Sequence, residues 1–428
     1  MSDNTSVSTF RQVPRTGVIY VMTEAAQRGY YYGNEEWANL GQGAPETGQL
    51  DNGPARVNTI ELVDADHEYA AVAGLWELRE AVAALYNQRY RRGMKSQYTA
   101  ENVSISSGGR LALSRLAAAL DRMHVGHFLP DYTAYEELLD QFDRFIPIPT
   151  PLDPERGYVF SAHELESEII ARGLSAVLLS NPCNPTGKLI GGSQLQQWVD
   201  VGRRLDSYLI FDEFYSNYIW DPVASGKSCG SVSAAAYIED VNKDPVVILD
   251  GLTKNWRYPG WRVGWTVAPK DVIDRLSSVG SFMDGGASHP MQKAAIPLLS
   301  YENAEAEAVS IRRTFSEKRD FMLRRLVGMG IRVDVAPAGS FYVWGDVSNL
   351  PAPLNNGMSF FQHSLEKQVI VVPGQFFDVN PGKRRSEIMS RFENYVRFSF
   401  GPELETLDLG LSRFEELIES ARDKKAAE

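Results

Sequence analysis

Cysteine is scarce in this chain: Cys183 and Cys229 are the only two in 428 residues. One pair makes neither a disulfide framework nor a cysteine-based zinc site. Histidine is also sparse, six in all. Its nearest pair, His124 and His127, has no acidic or thiol partner beside it, so no metal site is expected. Positive charge is in deficit, with 43 Lys and Arg against 55 Asp and Glu and a formal net charge of −12. A broad nucleic-acid surface needs the opposite balance. The one basic cluster, Arg89-Tyr90-Arg91-Arg92, closes a helical pattern and is expected to be a solvated helix end. No apolar run approaches the length of a membrane span, about 18 residues. The opening stretch, MSDNTSVSTFRQVPRTG, is polar and lacks the apolar core of a signal peptide. Together these features lead to the expectation of a cytoplasmic protein with no membrane and no nucleic-acid partner.

What the chain does have is a regular alternation of short apolar runs and helical patterns. A flexible arm over residues 1–16 is followed by helical spacing at Val18–Arg28 and an irregular loop at Asn39–Pro45. Helices are predicted at Leu75–Tyr90, Arg110–Leu120, Tyr135–Phe142 and Leu195–Leu205. Strands are predicted at Asn102–Ile105, around Phe128, and at Phe145–Ile148, Ala176–Leu179, Tyr208–Phe211, Val246–Leu249 and Val263–Val267. Strand, loop and helix in this order imply a largely parallel sheet covered by helices on both faces. A long helix, Ala304–Leu326, leads to a smaller α+β unit with Ile331–Val335, Ser340–Val343, Val369–Val372, Tyr395–Phe400 and the helix Leu409–Ala421. The tail Asp423–Glu428 is expected to fray. A length of 428 residues suits one large and one smaller domain.

In open α/β sheets, ligands lie outside the carboxyl ends of the strands. The run Asn102–Ile105 delivers Gly108 and Gly109 to a helix N-terminus, a place suited to phosphate. The run near Phe128 delivers Tyr132. Ala176–Leu179 delivers Asn181-Pro182-Cys183-Asn184-Pro185-Thr186-Gly187, and Tyr208–Phe211 delivers Asp212 and Tyr215. Val246–Leu249 delivers Lys254, in a loop or turn, and Arg262 eight residues later. Singly, each of these is also an ordinary turn, core aromatic, helix cap or surface amine. Jointly they meet the needs of a pyridoxal phosphate site: an amine, a carboxylate for the ring nitrogen, a planar side chain for stacking, donors for the phenolic oxygen, and an anion cradle. The segment Gly226-Lys227-Ser228-Cys229-Gly230 matches the nucleophile elbow of hydrolases. It lacks the preceding strand that motif requires, and is set aside.

Taken together, NPCNPTG, DEFY, LTKNWRYPGWRVGW and the late Tyr395–Phe400 segment closely resemble the class I/II aminotransferases. The resemblance runs in family order from about Leu40 to Phe400. It implies the α/β fold of the fold-type I pyridoxal-phosphate enzymes. That fold has a large domain with a mainly parallel seven-stranded sheet between helices, and a smaller α+β domain. The implied division is residues 1–45 as arm and part of the small domain, 46–319 as the large cofactor domain, and 320–428 as the rest of the small domain.

The resemblance further implies pyridoxal 5′-phosphate as cofactor and transfer of an amino group between an α-amino acid and a 2-oxo acid. Lys254 is then the Schiff-base lysine and proton carrier, and Asp212 the partner of the pyridine nitrogen. Asn184 and Tyr215 bond the phenolic oxygen, and Tyr132 stacks on the ring. Gly108, Gly109, the amide of Arg110 and the Arg262 side chain hold the phosphate. Arg397 and Gly43, with Asn184, bind the substrate. Tyr69 reaches the phosphate of a second subunit, which implies a homodimer with the active site at the subunit interface.

Three departures stand out. Gly251 replaces the family's frequent Ser, and Leu111 stands where Gly is usual. Arg110 stands where small or hydroxylated residues are usual, its side chain either adding a cation or facing solvent. A lyase, cyclase or oxidase on the same fold is the alternative activity. Tyr30-Tyr31-Tyr32, Trp256 and Trp261 suit an aromatic substrate or the packing of the domain junction.

Overall fold

Apolar runs such as Val246-Val247-Ile248-Leu249 have no polar face to turn to water, so both sides must be covered. In the computed structural model, which describes residues 17–142, 144–220, 230–386 and 390–427, these runs form one large sheet. The strands in chain order are β1 (Ala38–Asn39), β2 (Val103–Ser106), β3 (His124–Leu129), β4 (Ile146–Pro151), β5 (Leu174–Ser180), β6 (Tyr208–Asp212), β7 (Val246–Gly251) and β8 (Gly264–Val267). The series ends with β9 (Tyr342–Asp346), β10 (Val369–Ile370), β11 (Val372–Pro373) and β12 (Tyr395–Ser399). Seven of them pair in the order β2-β8-β7-β6-β5-β3-β4. The run from β7 to β4 is parallel, and β8 is antiparallel to both its neighbours.

Helices cover the sheet because each carries one apolar stripe. In Gly192–Leu205 the buried residues Leu195, Trp198, Val199 and Gly202 fall at helical spacing. A second, antiparallel sheet, β11-β12-β9, carries the late arginine segment. The helix Tyr301–Gly328 joins the two sheets in sequence. The N-terminal segment packs with the later sheet rather than the earlier one, since β1 pairs in parallel with β10. No helix among the described residues is long and apolar enough to cross a membrane.

Several local expectations are corrected. Arg89 and Arg91 are buried, not solvated. Arg91 donates to the carbonyls of Ser96, Ala235 and Ile238, and Arg89 to that of Ala304 and to the Glu305 carboxylate. These backbone and carboxylate acceptors satisfy the two guanidiniums in place of water. Ile331–Val335 is no strand. Arg332 exchanges two backbone bonds with Asp346, and the chain then leaves the sheet toward Gly187, whose carbonyl accepts from Ala338 and Gly339. Val369–Val372 splits into β10 and β11, which belong to different sheets.

The tail is ordered into the helix Leu404–Ala427. Lys254 sits in a one-turn helix, Leu252–Asn255, instead of a loop. The helices Ala162–Arg172, Lys270–Met283 and Gly357–Glu366 lie where the sequence analysis placed no element. The arm over residues 1–16 and most of the set-aside Gly226–Gly230 segment fall outside the described residues.

Candidate active site

The carboxyl ends of β3, β5, β6 and β7 converge with the loop after β1 and the inner face of the second sheet. Between them lies a cavity of about 390 Å3, within the common range of small-molecule sites. Lys254, Asp212, Tyr215, Asn184, Tyr132, Gly109, Arg110, Arg262, Arg397 and Gly43 all line it. Gly108 stands immediately behind, at the N-cap of the helix Gly109–Ala119. Tyr69 is elsewhere, 96% exposed on the surface.

Lys254 follows β7 by three residues and donates its ammonium or amine hydrogen to the Gly43 carbonyl. Burial, then the positive charges of Arg397, Arg262 and Arg110, pull its pKa down to about 7, while Asp212 opposes them. Asp212 ends β6 and is itself buried, which raises its carboxyl to about 6. The Tyr135 hydroxyl donates to it at 2.9 Å. The Tyr135 hydroxyl, the Phe214 amide and Lys254 limit that rise. Above about pH 7, the cavity therefore offers a neutral amine beside an ionised carboxylate.

Asn184 lies in the turn after β5, where its backbone N–H donates to Ser180 Oγ at 3.1 Å. Its side-chain oxygen accepts from Arg397 Nη1 at 2.9 Å, which leaves its Nδ2 hydrogens as the free donors. Arg397 also donates to the Gly41 carbonyl at 2.5 Å. It is buried, its Nε has no partner, and no carboxylate among the described residues pairs with it. A buried guanidinium without a counter-ion is costly unless a ligand supplies one.

At the expected anion cradle, close packing requires the glycines. At Gly108 φ is +83°, and a Cβ there would lie 2.7 Å from Cζ of Arg262. The guanidinium thus packs directly on the backbone that opens the helix. Behind it, a Cβ at Gly251 would come within 2.6 Å of both the Val263 carbonyl and Gly264 Cα. Gly251 and Gly264 are paired residues of β7 and β8. The close backbone approach leaves little room for a side chain at position 251.

The structure adds residues that the sequence analysis missed. Tyr342 lines the cavity with its hydroxyl 2.8 Å from that of Tyr215. Tyr135 orients Asp212, as described. For Tyr135 a signal existed: it falls one helical turn after Tyr132, and their rings meet edge to face at 5.5 Å. For Tyr342 there was none, because its relation to the site depends on how the second sheet docks. The aromatic residues considered for the substrate do not reach the cavity. Trp256 packs on Trp265 and Trp261 on Tyr258, and Tyr30 hydrogen-bonds Asn39.

Among known proteins, the family model described as aminotransferase class I and II matches residues 35–414. A probable aspartate/prephenate aminotransferase of Thermus aquaticus is 28% identical over 84% of this chain and 85% of its own. A probable N-acetyl-LL-diaminopimelate aminotransferase of Bacillus subtilis is 27% identical over 83% and 82%. The structure of Thermus thermophilus aspartate aminotransferase with maleate superposes with a TM-score of 0.76 at 24% identity, covering 95% of this chain and all of the other. At that identity the likeness speaks for the fold.

Proposed function

This chain belongs to the class I and II aminotransferases, and from that premise we propose that its cavity holds pyridoxal 5′-phosphate and moves an amino group between an α-amino acid and a 2-oxo acid. The observation that carries the proposal is the pairing of a buried amine of lowered pKa with a buried guanidinium that lacks a counter-ion, both facing one cavity. The donor set fits the cofactor. Gly108, Gly109, the Arg110 amide and Arg262 would hold the phosphate, and Tyr132 would lie on the ring. Asp212 would face the ring nitrogen, and Asn184 Nδ2 and the Tyr215 hydroxyl would bond the phenolic oxygen. When bound, the cofactor supplies an electrophilic carbon for amines and a ring that accepts the electron pair released at the substrate Cα.

The chain's own residues do the rest. Lys254, neutral above about pH 7, takes the proton from the substrate Cα and returns it as general base and acid. Asp212, ionised above about pH 6, keeps positive charge on the ring side favourable. Arg397 clamps the substrate α-carboxylate with guanidinium hydrogens not used by Asn184 and Gly41. Gly43 brings its backbone close to the substrate side, with its carbonyl holding the amine of Lys254 in place.

For the substrate side chain, we propose a second carboxylate facing Arg110. With Arg262 at the phosphate and Arg397 at the α-carboxylate, Arg110 is the third cation of the cavity. It has no carboxylate partner among the described residues, only a 3.4 Å contact to the Tyr132 hydroxyl. The name of the Thermus aquaticus relative, aspartate/prephenate aminotransferase, supports an acidic substrate.

Residues 1–45 are proposed as an arm and part of the small domain, 320–428 as the rest of it and 46–319 as the large domain, a division supported by the β1–β10 pairing. A homodimer is proposed as the working form. Leu62, Val63, Tyr69 and Phe282 are exposed, and the segments of Tyr69 and Phe282 meet where Gly280 packs against Val72. A second copy covering this patch would receive Tyr69 at its phosphate.

The test is a spectral screen of amino acids against the purified holoprotein. A change of the visible cofactor band with dicarboxylic donors, reversed by a 2-oxo acid, is expected, and Lys254→Ala abolishes it. Ammonia release without any acceptor would instead indicate a lyase or oxidase.

A further inference from the structure

Tyr342 is fully buried at the start of β9. In the register of the second sheet, Arg397 of β12 opposes Trp344 of β9, and Tyr342 lies two residues before Trp344. Arg397 and Tyr342 are therefore diagonal neighbours on one face. The Arg397 guanidinium carbon sits 4.2 Å from the centre of the Tyr342 ring, a cation–π distance. At its other end, the Tyr342 hydroxyl is 2.8 Å from the Tyr215 hydroxyl. The same hydroxyl occupies the space that a side chain at position 43 would need. One side chain thus touches the guanidinium, the second phenol and the loop that carries the Lys254 contact.

We propose, resting on the cofactor reading above, that Tyr342 is a positioning residue whose ring seats Arg397 and whose hydroxyl donates to Tyr215. Two hydroxyls at this distance share one hydrogen bond, so one proton is left over. The cation over the Tyr342 ring draws electron density from that phenol and makes it the better donor. Tyr215, accepting from Tyr342, keeps its own proton for the cofactor's phenolic oxygen. Acceptance also strengthens donation along a chain of hydroxyls. Burial raises both phenols above their ordinary pKa, so both stay protonated across the working range. The charged and titratable groups around the pair are Arg397 from β12, Asp212 from the end of β6, Tyr132 after β3 and Lys254 after β7.

The experiment is a pH titration of the visible cofactor absorbance in holoprotein, with donor KM measured alongside. Tyr342→Phe removes the hydroxyl and keeps the ring. Its titration midpoint is expected to rise by about half a pH unit, in the same direction as Tyr215→Phe. The double variant is expected to move no further than Tyr215→Phe alone. Donor KM stays within about twofold in Tyr342→Phe and rises about tenfold in Tyr342→Leu, which also removes the seat of Arg397. If Tyr342→Phe does not fold, the Tyr342→Leu midpoint reads the same hydroxyl. An unmoved midpoint, or shifts that add in the double variant, overturns the proposal. Wild-type protein without a cofactor band would sink the cofactor reading instead.

Discussion

At the scale of single residues, the chemistry depends on two buried groups pushed toward each other in pKa. Burial lowers Lys254 to about 7 and raises Asp212 to about 6. For Lys254 the unfolded chain binds the extra proton between about pH 7 and the usual lysine value of 10.5. The stability of the cofactor-free protein should therefore rise with pH across that window. Lys254→Met should flatten the rise in thermal midpoint measured from pH 7 to 9. Asp212 acts in the opposite sense. Its folded value lies above the usual 3.8, so stability falls as pH climbs from about 4 to 6, and Asp212→Asn should remove that fall.

In the proposed function, the free amine of Lys254 is the group that captures the cofactor. The rate of pyridoxal phosphate uptake, followed by absorbance, should increase with pH with a midpoint near 7. Arg397→Lys should cost about 100-fold in kcat/KM while leaving cofactor affinity unchanged, because an ammonium cannot reproduce the fork that meets Asn184 and a carboxylate together. Arg110→Gln should reduce activity on dicarboxylic donors far more than on neutral ones. Equal losses on both would remove Arg110 from substrate selection.

At the scale of elements, β7, β8 and the start of the helix Gly109–Ala119 are pressed together through glycine. A Cβ at Gly264 would lie 2.9 Å from the Gly108 carbonyl carbon, and one at Gly251 would meet Gly264 and Val263. Gly251→Ser, which restores the residue frequent in the family, should destabilise the protein by about 1–3 kcal/mol in denaturant unfolding. It should also weaken cofactor binding by spreading the cradle, and tighter binding would contradict this packing account.

Elements with strong internal signals were legible. The central parallel strands β5, β6 and β7 stood out by their apolar runs, and the helix at 192–205 showed in its stripe. The helix Ala162–Arg172 had a signal that went unused. Ser161 accepts from the Glu164 N–H, Glu164 returns a bond to the Ser161 N–H, and Gly173 closes the helix at φ +60°. Val369–Val372 could not have been divided from sequence, since four consecutive buried residues carry no mark of the sheet each will join.

At the scale of the whole molecule, the surface around Tyr69 is where the proposed dimer would form. Tyr69 at 96% exposure and Phe282 at 78% are large apolar groups in water, as at a surface meant to be covered. Sedimentation should show a dimer, and Phe282→Glu should shift it toward monomer with weaker cofactor retention. Tyr69→Phe should lower cofactor affinity while the dimer persists. A monomer of full activity would end this reading.

By itself the sequence determined which residue types stand after each strand and in what order, because strand, turn and helix N-terminus are local properties of adjacent residues. Lys254, Asp212, Asn184 and Arg262 were placed after their strands in that way, and the family resemblance implied their roles. Only the tertiary structure decided that Arg397 reaches Asn184, that Tyr342 lies under Arg397, that Tyr135 serves Asp212, and that Arg89 and Arg91 are buried. These contacts depend on how two sheets and their helices pack against one another. No periodicity along the chain encodes the approach of side chains that far apart.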